Sequence, residues 1–272
     1  MRAGKRRLAG WGMAVLAAPA VFSAAAWAAE ATAREITEAL FKARPGDIVD
    51  LSGKDLQFLD LSGLVFKGAR LAGADLYGVD FTGSNLRGSD LSGAKLDRAT
   101  IIHADFSGAN LSKATLLRPT VYADLSANLA DAPRFSGANL TEIRVMAQLD
   151  GADFKGADLM RADFSPREIR PGQGTIATLM KNLLRSCDFT GARLREADLR
   201  YAVLTFSRLI EVDLSGANLM GADLSRADLA GADLTGADLT GADFDGANLS
   251  GVKGLDTAKG LALALNLDRA VR

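Results

Sequence analysis

The chain has 272 residues, with 32 Lys+Arg against 33 Asp+Glu, one His, one Cys and 48% hydrophobic residues. One Cys cannot form an internal disulfide, and a zinc site built mainly from His and Cys lacks its ligands. The balanced charge excludes a broadly basic nucleic-acid binder, and the apolar content excludes disorder.

Residues 1–28 carry Arg2, Lys5, Arg6 and Arg7 and no acid, and an apolar run from Leu8 to Ala28 closes on Ala26-Trp27-Ala28. A basic start, an apolar middle and a small-x-small end predict a secretory signal peptide cleaved after Ala28. The mature protein is then periplasmic or secreted, with no membrane span left. The run is just long enough to span a bilayer, so an uncleaved anchor competes, though its Ala and Gly make it a weak one. Arg6-Arg7 is a twin arginine whose neighbours fit a folded-export signal poorly. No Cys lies near the cleavage point to carry a lipid.

Residues 29–46 read as an N-terminal capping helix. Thr32 and Glu35 are spaced as a capping box, Ile36, Leu40 and Phe41 form the apolar stripe, and Pro45-Gly46 is the stop. From Leu51 every fifth residue to Val121 is apolar, as is every fifth residue from Phe189 to Leu249. Two residues before the centres of the second run stands Ala, except at Cys187, Ser207 and Val212. A period of five is neither helix nor ordinary strand. Each unit reads like Ala232-Asp233-Leu234-Thr235-Gly236: a small and a large apolar residue inward, polar residues outward, and a Gly where a turn needs positive φ. One unit cannot bury its Leu alone, so stability must come from stacked coils.

The tandem A(D/N)LxG pattern over 47–251 resembles the pentapeptide-repeat family, and over 217–251 the match is nearly ideal. The resemblance implies an all-β solenoid, a right-handed quadrilateral β-helix with four quintets per coil. About ten coils at a strand spacing of roughly 4.8 Å give a rod about 45–50 Å long.

The period breaks in the middle. The step from Val121 to Phe135 is one short of fifteen and that from Val145 to Leu149 one short of five, so a bulge or bend is expected at each seam. From Phe164 to Phe189 the phase is kept, but 165–186 does not look like repeats. Pro166, Pro171, Gly172 and Gly174 read as loop, and Ile176, Leu179, Met180, Leu183 and Leu184 recur at helical spacing. An inserted loop and short amphipathic helix is expected there, with degenerate coils as the alternative. The last segment, 252–272, reads as a C-terminal cap. Ala262, Ala264 and the lack of β-branched residues favour a helix over 257–270, which could also support a homodimer.

Residues 212–251 hold seven Asp and one Arg. An acidic face, calcium binding and paired catalytic carboxylates all come to mind. The simpler account is that Asp and Asn satisfy neighbouring backbone amides at each corner. Calcium needs six to eight converging oxygens, and acid–base chemistry needs a cleft; neither is signalled. Cys187 falls on an inward position and His103 on an outward corner. No phosphate-binding glycine motif stands out, so no catalytic residue, metal or cofactor is expected. Arg118, Tyr122, Arg134, Arg144, Arg167 and Arg170 gather in sequence around the seams, where the repeat yields, and are the candidate partner-binding residues. These features point to a non-enzymatic periplasmic scaffold or protein-interaction module with no nucleic-acid partner. The alternative is a DNA mimic that modulates topoisomerases, as the resemblance to gyrase-protecting members implies; the signal peptide argues against it.

Overall fold

Apolar residues at every fifth position can share one interior only if the chain turns a corner in every unit. The computed structural model, which describes residues 31–123, 128–169 and 178–272, shows how this is done. The residue before each buried centre pairs in parallel with the residue one coil away: Asp50 with Arg70, Arg70 with Asp90, and Asp90 with Asn110. Three further ladders start at Asp55, Asp60 and Val65, so each coil has four sides, numbered here first to fourth in that order. Most rungs are single-residue bridges. Only β1 (Thr115–Leu117) and β2 (Arg144–Met146) lengthen into a regular parallel pair.

Two hydrogen bonds tie each rung. The Leu224 N–H donates to the Asp243 carbonyl at 2.8 Å, and the Asp243 N–H to the Ala222 carbonyl at 2.9 Å. The corners are turns: the Ala74 N–H donates to the Leu71 carbonyl at 3.0 Å, and Gly73 between them has φ 65°. That angle is where glycine is favoured.

The centres of both five-residue runs point into one dry column, the most exposed of them, Leu51, at 5%. On the fourth side Phe106, Phe135, Phe154 and Phe189 stack with centroids 5.2, 5.0 and 4.7 Å apart. This column therefore runs unbroken through both seams. Cys187, Ser207 and Val212 take the small inward position and are buried. Burial pushes the Cys187 thiol up, so it stays protonated.

At the start, α1 (Ala33–Lys42) lies over the first coil and buries Ile36 and Leu40. The Thr32 hydroxyl accepts the Glu35 N–H at 3.2 Å, and the Glu35 carboxylate accepts the Thr32 N–H at 2.8 Å. Lys67 donates to the carbonyls of Leu40 and Ala43 at 2.7 and 2.9 Å, closing the far end of the helix. Phe41 does not join the apolar stripe. It is 86% exposed, because Ile36 and Leu40 alone turn towards the coil.

At the other end the expected helix over 257–270 does not form. Lys259, Leu265 and Val271 pair with Asp238, Asp243 and Asn248, so the chain makes another coil whose sides hold six residues instead of five. Leu255, Leu261 and Leu267 face inward at that spacing, and short 3₁₀ turns occupy Leu261–Leu263 and Leu267–Arg269. Gly260 is needed at its corner: a Cβ there would lie 2.8 Å from the Thr240 Cα. An unpaired coil edge gains more from completing its ladder on the coil above than from an isolated helical turn.

Both seams differ from a simple bulge. Asp105 pairs with Arg134 and Asn110 with Asn139, so nine extra residues leave the stack between Thr120 on the third side and Arg134 on the fourth. This excursion carries a 3₁₀ turn at Leu129–Asp131. The second seam is a true four-residue side, from Arg144 to Gln148. Above it, Asp163 pairs with Asp198 and Leu183 with Val203, so fifteen residues are inserted between the second and third sides. The inserted segment contains an antiparallel pair, β3 (Arg167–Ile169) with β4 (Thr178–Met180). No helix forms at Leu179 and Met180, which are strand, and Leu183 and Leu184 already belong to the next coil. Residues 1–30, including the expected signal peptide, lie outside the described residues, as do Arg170, Pro171, Gly172, Gly174 and Ile176.

Candidate functional site

The recurring Asp and Asn are corner-builders first. The Asp60 carboxylate accepts the Ser62 N–H at 3.0 Å and its hydroxyl at 2.6 Å, and Asp233 does the same for Thr235 at 2.9 and 2.5 Å. The same bond from the N–H two residues on is made by Asn110, Asp158, Asp213 and Asn248. This is the local side-chain-to-backbone bonding that these residues favour in turns. The acidic block of 212–251 forms no acidic face. Asp213 and Asp233 sit on the first side, Asp238 on the second, Asp223 and Asp243 on the third and Asp228 on the fourth.

The hydrogen bonds from Ser62 and Thr235 hold the carboxyls of Asp60 and Asp233 below the usual Asp range. A folded-state value below the unfolded one lends stability at neutral pH and loses it as pH falls through the lowered value. The melting temperature should therefore be flat from neutral pH downward and fall below about pH 4. A melting temperature unchanged to about pH 2 would contradict this corner role.

The described candidate partner-binding residues do not all fall on one side of the coil. Arg134 is on the fourth side, 3.5 Å from Asp105, and Arg144 is on the opposite, second side, 3.4 Å from Asp163. Tyr122 is half-buried and donates to the Asp150 carbonyl at 2.8 Å; burial first, and the Asp150 charge second, push its phenol up. Each of these three has a partner within the coil, and Arg134 and Arg144 do not converge. Arg118 stands at the corner between the second and third sides, its guanidinium 3.5 Å from the Met180 sulfur. Arg167 pairs through its backbone with Met180 across β3–β4. Arg170 lies outside the described residues.

What the seam does build is a pocket of about 240 Å³ on the third side. The four-residue side supplies its floor: Met146 and Ala147 are 6% and 8% exposed, drawn in where a corner normally projects. Arg118 and Pro119 form one wall, and Met180 and Lys181 the other. The fifteen-residue insertion and the nine-residue excursion leave from the corners on either side of this face.

Three buried polar residues, none of them signalled by the five-residue centres, hold this region. Asn182 (1% exposed) takes an inward position two before Leu184. Its Nδ2 donates to the carbonyls of Val145 and Phe164 at 3.2 and 2.8 Å, and its Oδ1 accepts the Ala147 N–H at 2.8 Å. Asp150 (4% exposed) accepts from Arg185 Nη2 at 2.6 Å and from the Arg185 N–H at 2.8 Å. Asp131 (7% exposed) anchors the excursion, accepting the Ala123 N–H at 3.0 Å and standing 3.4 Å from His103 Nε2. His103 is thus part of this anchor and not simply an outward corner. An amide at a slot filled mostly by Ala elsewhere was the available signal for Asn182. Among the described residues no group of three or more His, Cys, Asp or Glu is placed to hold a metal, and no helix is long and apolar enough to cross a membrane.

The family description Pentapeptide repeats matches eight copies over 50–88, 80–116, 147–165, 187–226 and 217–253. Among solved structures, the chain is similar to HetL, a pentapeptide repeat protein involved in heterocyst differentiation regulation from the cyanobacterium Nostoc sp. strain PCC 7120. The identity is 28% over 84% of this chain and 96% of that one, with a TM-score of 0.39. It is also similar to QnrB1, a plasmid-mediated fluoroquinolone resistance protein, at 23% identity over 66% of this chain and 76% of that one, TM-score 0.32. A third is a pentapeptide repeat protein from the Arabidopsis thaliana thylakoid lumen, at 30% identity over 44% of this chain and 68% of that one, TM-score 0.25. No curated protein matches. With the repeat description covering more than half of its residues and the buried centres stacked as that repeat demands, the chain belongs to the pentapeptide-repeat family.

Proposed function

We propose that this protein is a non-enzymatic protein-interaction module exported to the periplasm, in which a rigid four-sided solenoid carries a contact surface at its seam. The observation that carries this reading is the pairing of two insertions with a recess. Before its last coil, the stack departs from five-residue sides only around the seam, where among the described residues the chain leaves it at two neighbouring corners and one side is a residue short, and the third side there is hollowed. Departures from a consistent pattern tend to mark functional sites. Export rests on the basic, apolar and small-x-small order of residues 1–28. The module needs no cofactor.

A second copy is a further partner of this module. Leu263, Leu265 and Val271 are more than half exposed on the last coil, and the edge of that coil has no ladder partner among the described residues. Concentration-dependent sedimentation reads that contact.

N-terminal sequencing of the protein recovered from a bacterial host tests the location. A first residue of Ala29 supports export. An intact Met1 in the cytoplasm overturns it and returns the DNA-mimic alternative, which the dispersal of Asp over all four sides does not favour.

A further inference from the structure

Ladder positions on the outside of the coil are mostly Asp, Asn, Thr, Arg or Lys. Midway along the third side they change character. Leu183 and Val203 occupy successive rungs, and Tyr201 stands at the adjoining corner, 37% exposed, with Lys181 Nζ 5.9 Å from its ring centroid. This apolar strip runs directly from the pocket between Arg118 and Lys181. The rest of the pocket lining is Pro119, Met146, Ala147, Gln148, Met180 and Leu183.

Two features narrow what fits. At about 240 Å³ the pocket is smaller than the ~300–1,000 Å³ of ordinary small-molecule sites, and it suits one large side chain better than a whole cofactor. Among the described residues, both charged residues that line it are cations, no carboxylate lines it, and neither Arg118 nor Lys181 makes an ion pair. Flexible Met walls suit an adaptable apolar contact, and exposed cations beside a desolvated hollow select acidic neighbours.

We propose that this pocket is the docking point for an acidic, hydrophobic-anchored segment of a partner protein: one aromatic or aliphatic side chain enters between Met146 and Met180, and flanking carboxylates meet Arg118 and Lys181. The proposal rests on the interaction-module reading and names the chemistry of its partner.

Methyl-13C methionine labelling of the full-length protein reads the pocket directly. Met146 and Met180 lie in it, while Met160 lies at the corner between the first and second sides and serves as the internal reference. The probe is the blocked peptide Gly-Asp-Glu-Phe-Glu-Asp-Gly, titrated to millimolar concentration, against Gly-Lys-Lys-Phe-Lys-Lys-Gly. The acidic peptide should shift the Met146 and Met180 methyl signals in a saturable way and leave Met160 in place, and the basic peptide should shift neither pocket methionine.

The Arg118→Glu/Lys181→Glu variant should bind the acidic peptide roughly tenfold more weakly or worse. Glu is tolerated at such corners, as Glu142, Glu196 and Glu211 have the same positive φ as Arg118. If that variant does not fold, Arg118→Gln/Lys181→Gln is read instead and should also weaken binding. Absence of a shift at both pocket methionines, equal binding of the basic peptide, or unchanged affinity in the folded variant overturns the proposal. Export is measured separately by N-terminal sequencing, so an exported protein that ignores the peptide refutes only the pocket, and an unexported one that binds it refutes only the location.

Discussion

Replacing Leu224 by Asp should unfold several coils and lower the melting temperature by more than 10 °C, about the fall that a loss of several kcal/mol gives in a chain of this size. Leu224 is fully buried on the third side, and its N–H and that of Asp243 tie consecutive coils. A carboxylate there has no partner among the surrounding Leu and Ala side chains. Burying an uncompensated charge costs several kcal/mol, so the local structure opens instead. In a stack where each coil is stabilised by its neighbours, opening one coil exposes the faces of two others. The neighbouring Asp223→Asn is the control. Asp223 accepts the Ser225 N–H at 3.0 Å, and an Asn oxygen makes that same bond at Asn218 and Asn248. That variant should melt within a degree or two of wild type, about what a surface change of a few tenths of a kcal/mol allows. A wild-type melting temperature in Leu224→Asp would show that the five-residue centres are not the dry interior.

The Asn182→Leu variant should destabilise the seam by a few kcal/mol, since each buried backbone group left unsatisfied costs about 1–3 kcal/mol. The four-residue side from Arg144 to Gln148 cannot place all its backbone groups opposite partners. Asn182 reaches in from the next coil and satisfies the Val145 carbonyl, the Ala147 N–H and the Phe164 carbonyl together. Leu shares the branched heavy-atom shape of the side chain, though it is somewhat larger, and satisfies none of them, so the loss falls chiefly on hydrogen bonding. Hydrogen exchange locates the effect. The Ala147 amide should lose protection selectively, while Asp243 and Asn248 in the distant regular coils keep theirs. Unchanged exchange at Ala147 would mean that the short side is held by something other than Asn182.

Much of this molecule is legible in a period. The buried column, the small inward layer and the outward Asp follow from spacing alone, and the family resemblance supplies four sides. Other features were present in the sequence but ambiguous. Leu255, Leu261 and Leu267, with Ala258, Ala264 and Ala270, repeat at six, yet the same Ala- and Leu-rich segment has high helical propensity. The ladder offered by Asp238, Asp243 and Asn248 settles that competition, and propensity is a weak prior beside it. The step of fourteen from Val121 to Phe135 fits equally well three shortened units or one unit plus a nine-residue excursion. The buried anchor Asp131 and the pairing of Asp105 with Arg134 select the second. Arg134 and Arg144 illustrate the reverse case: close in sequence, they lie on opposite sides, because a coil sends neighbours ten residues apart to opposite sides.

By itself the sequence determined which side chains leave water, because that choice depends on each residue's own hydrophobicity and on a spacing that repeats locally. Where the coil opens, what fills the gap and which surface is hollowed were decided only by the tertiary structure. Those outcomes depend on which distant backbone groups pair, such as Arg134 with Asp153 and Asp163 with Asp198, and on single residues such as Asn182 that satisfy the groups left over.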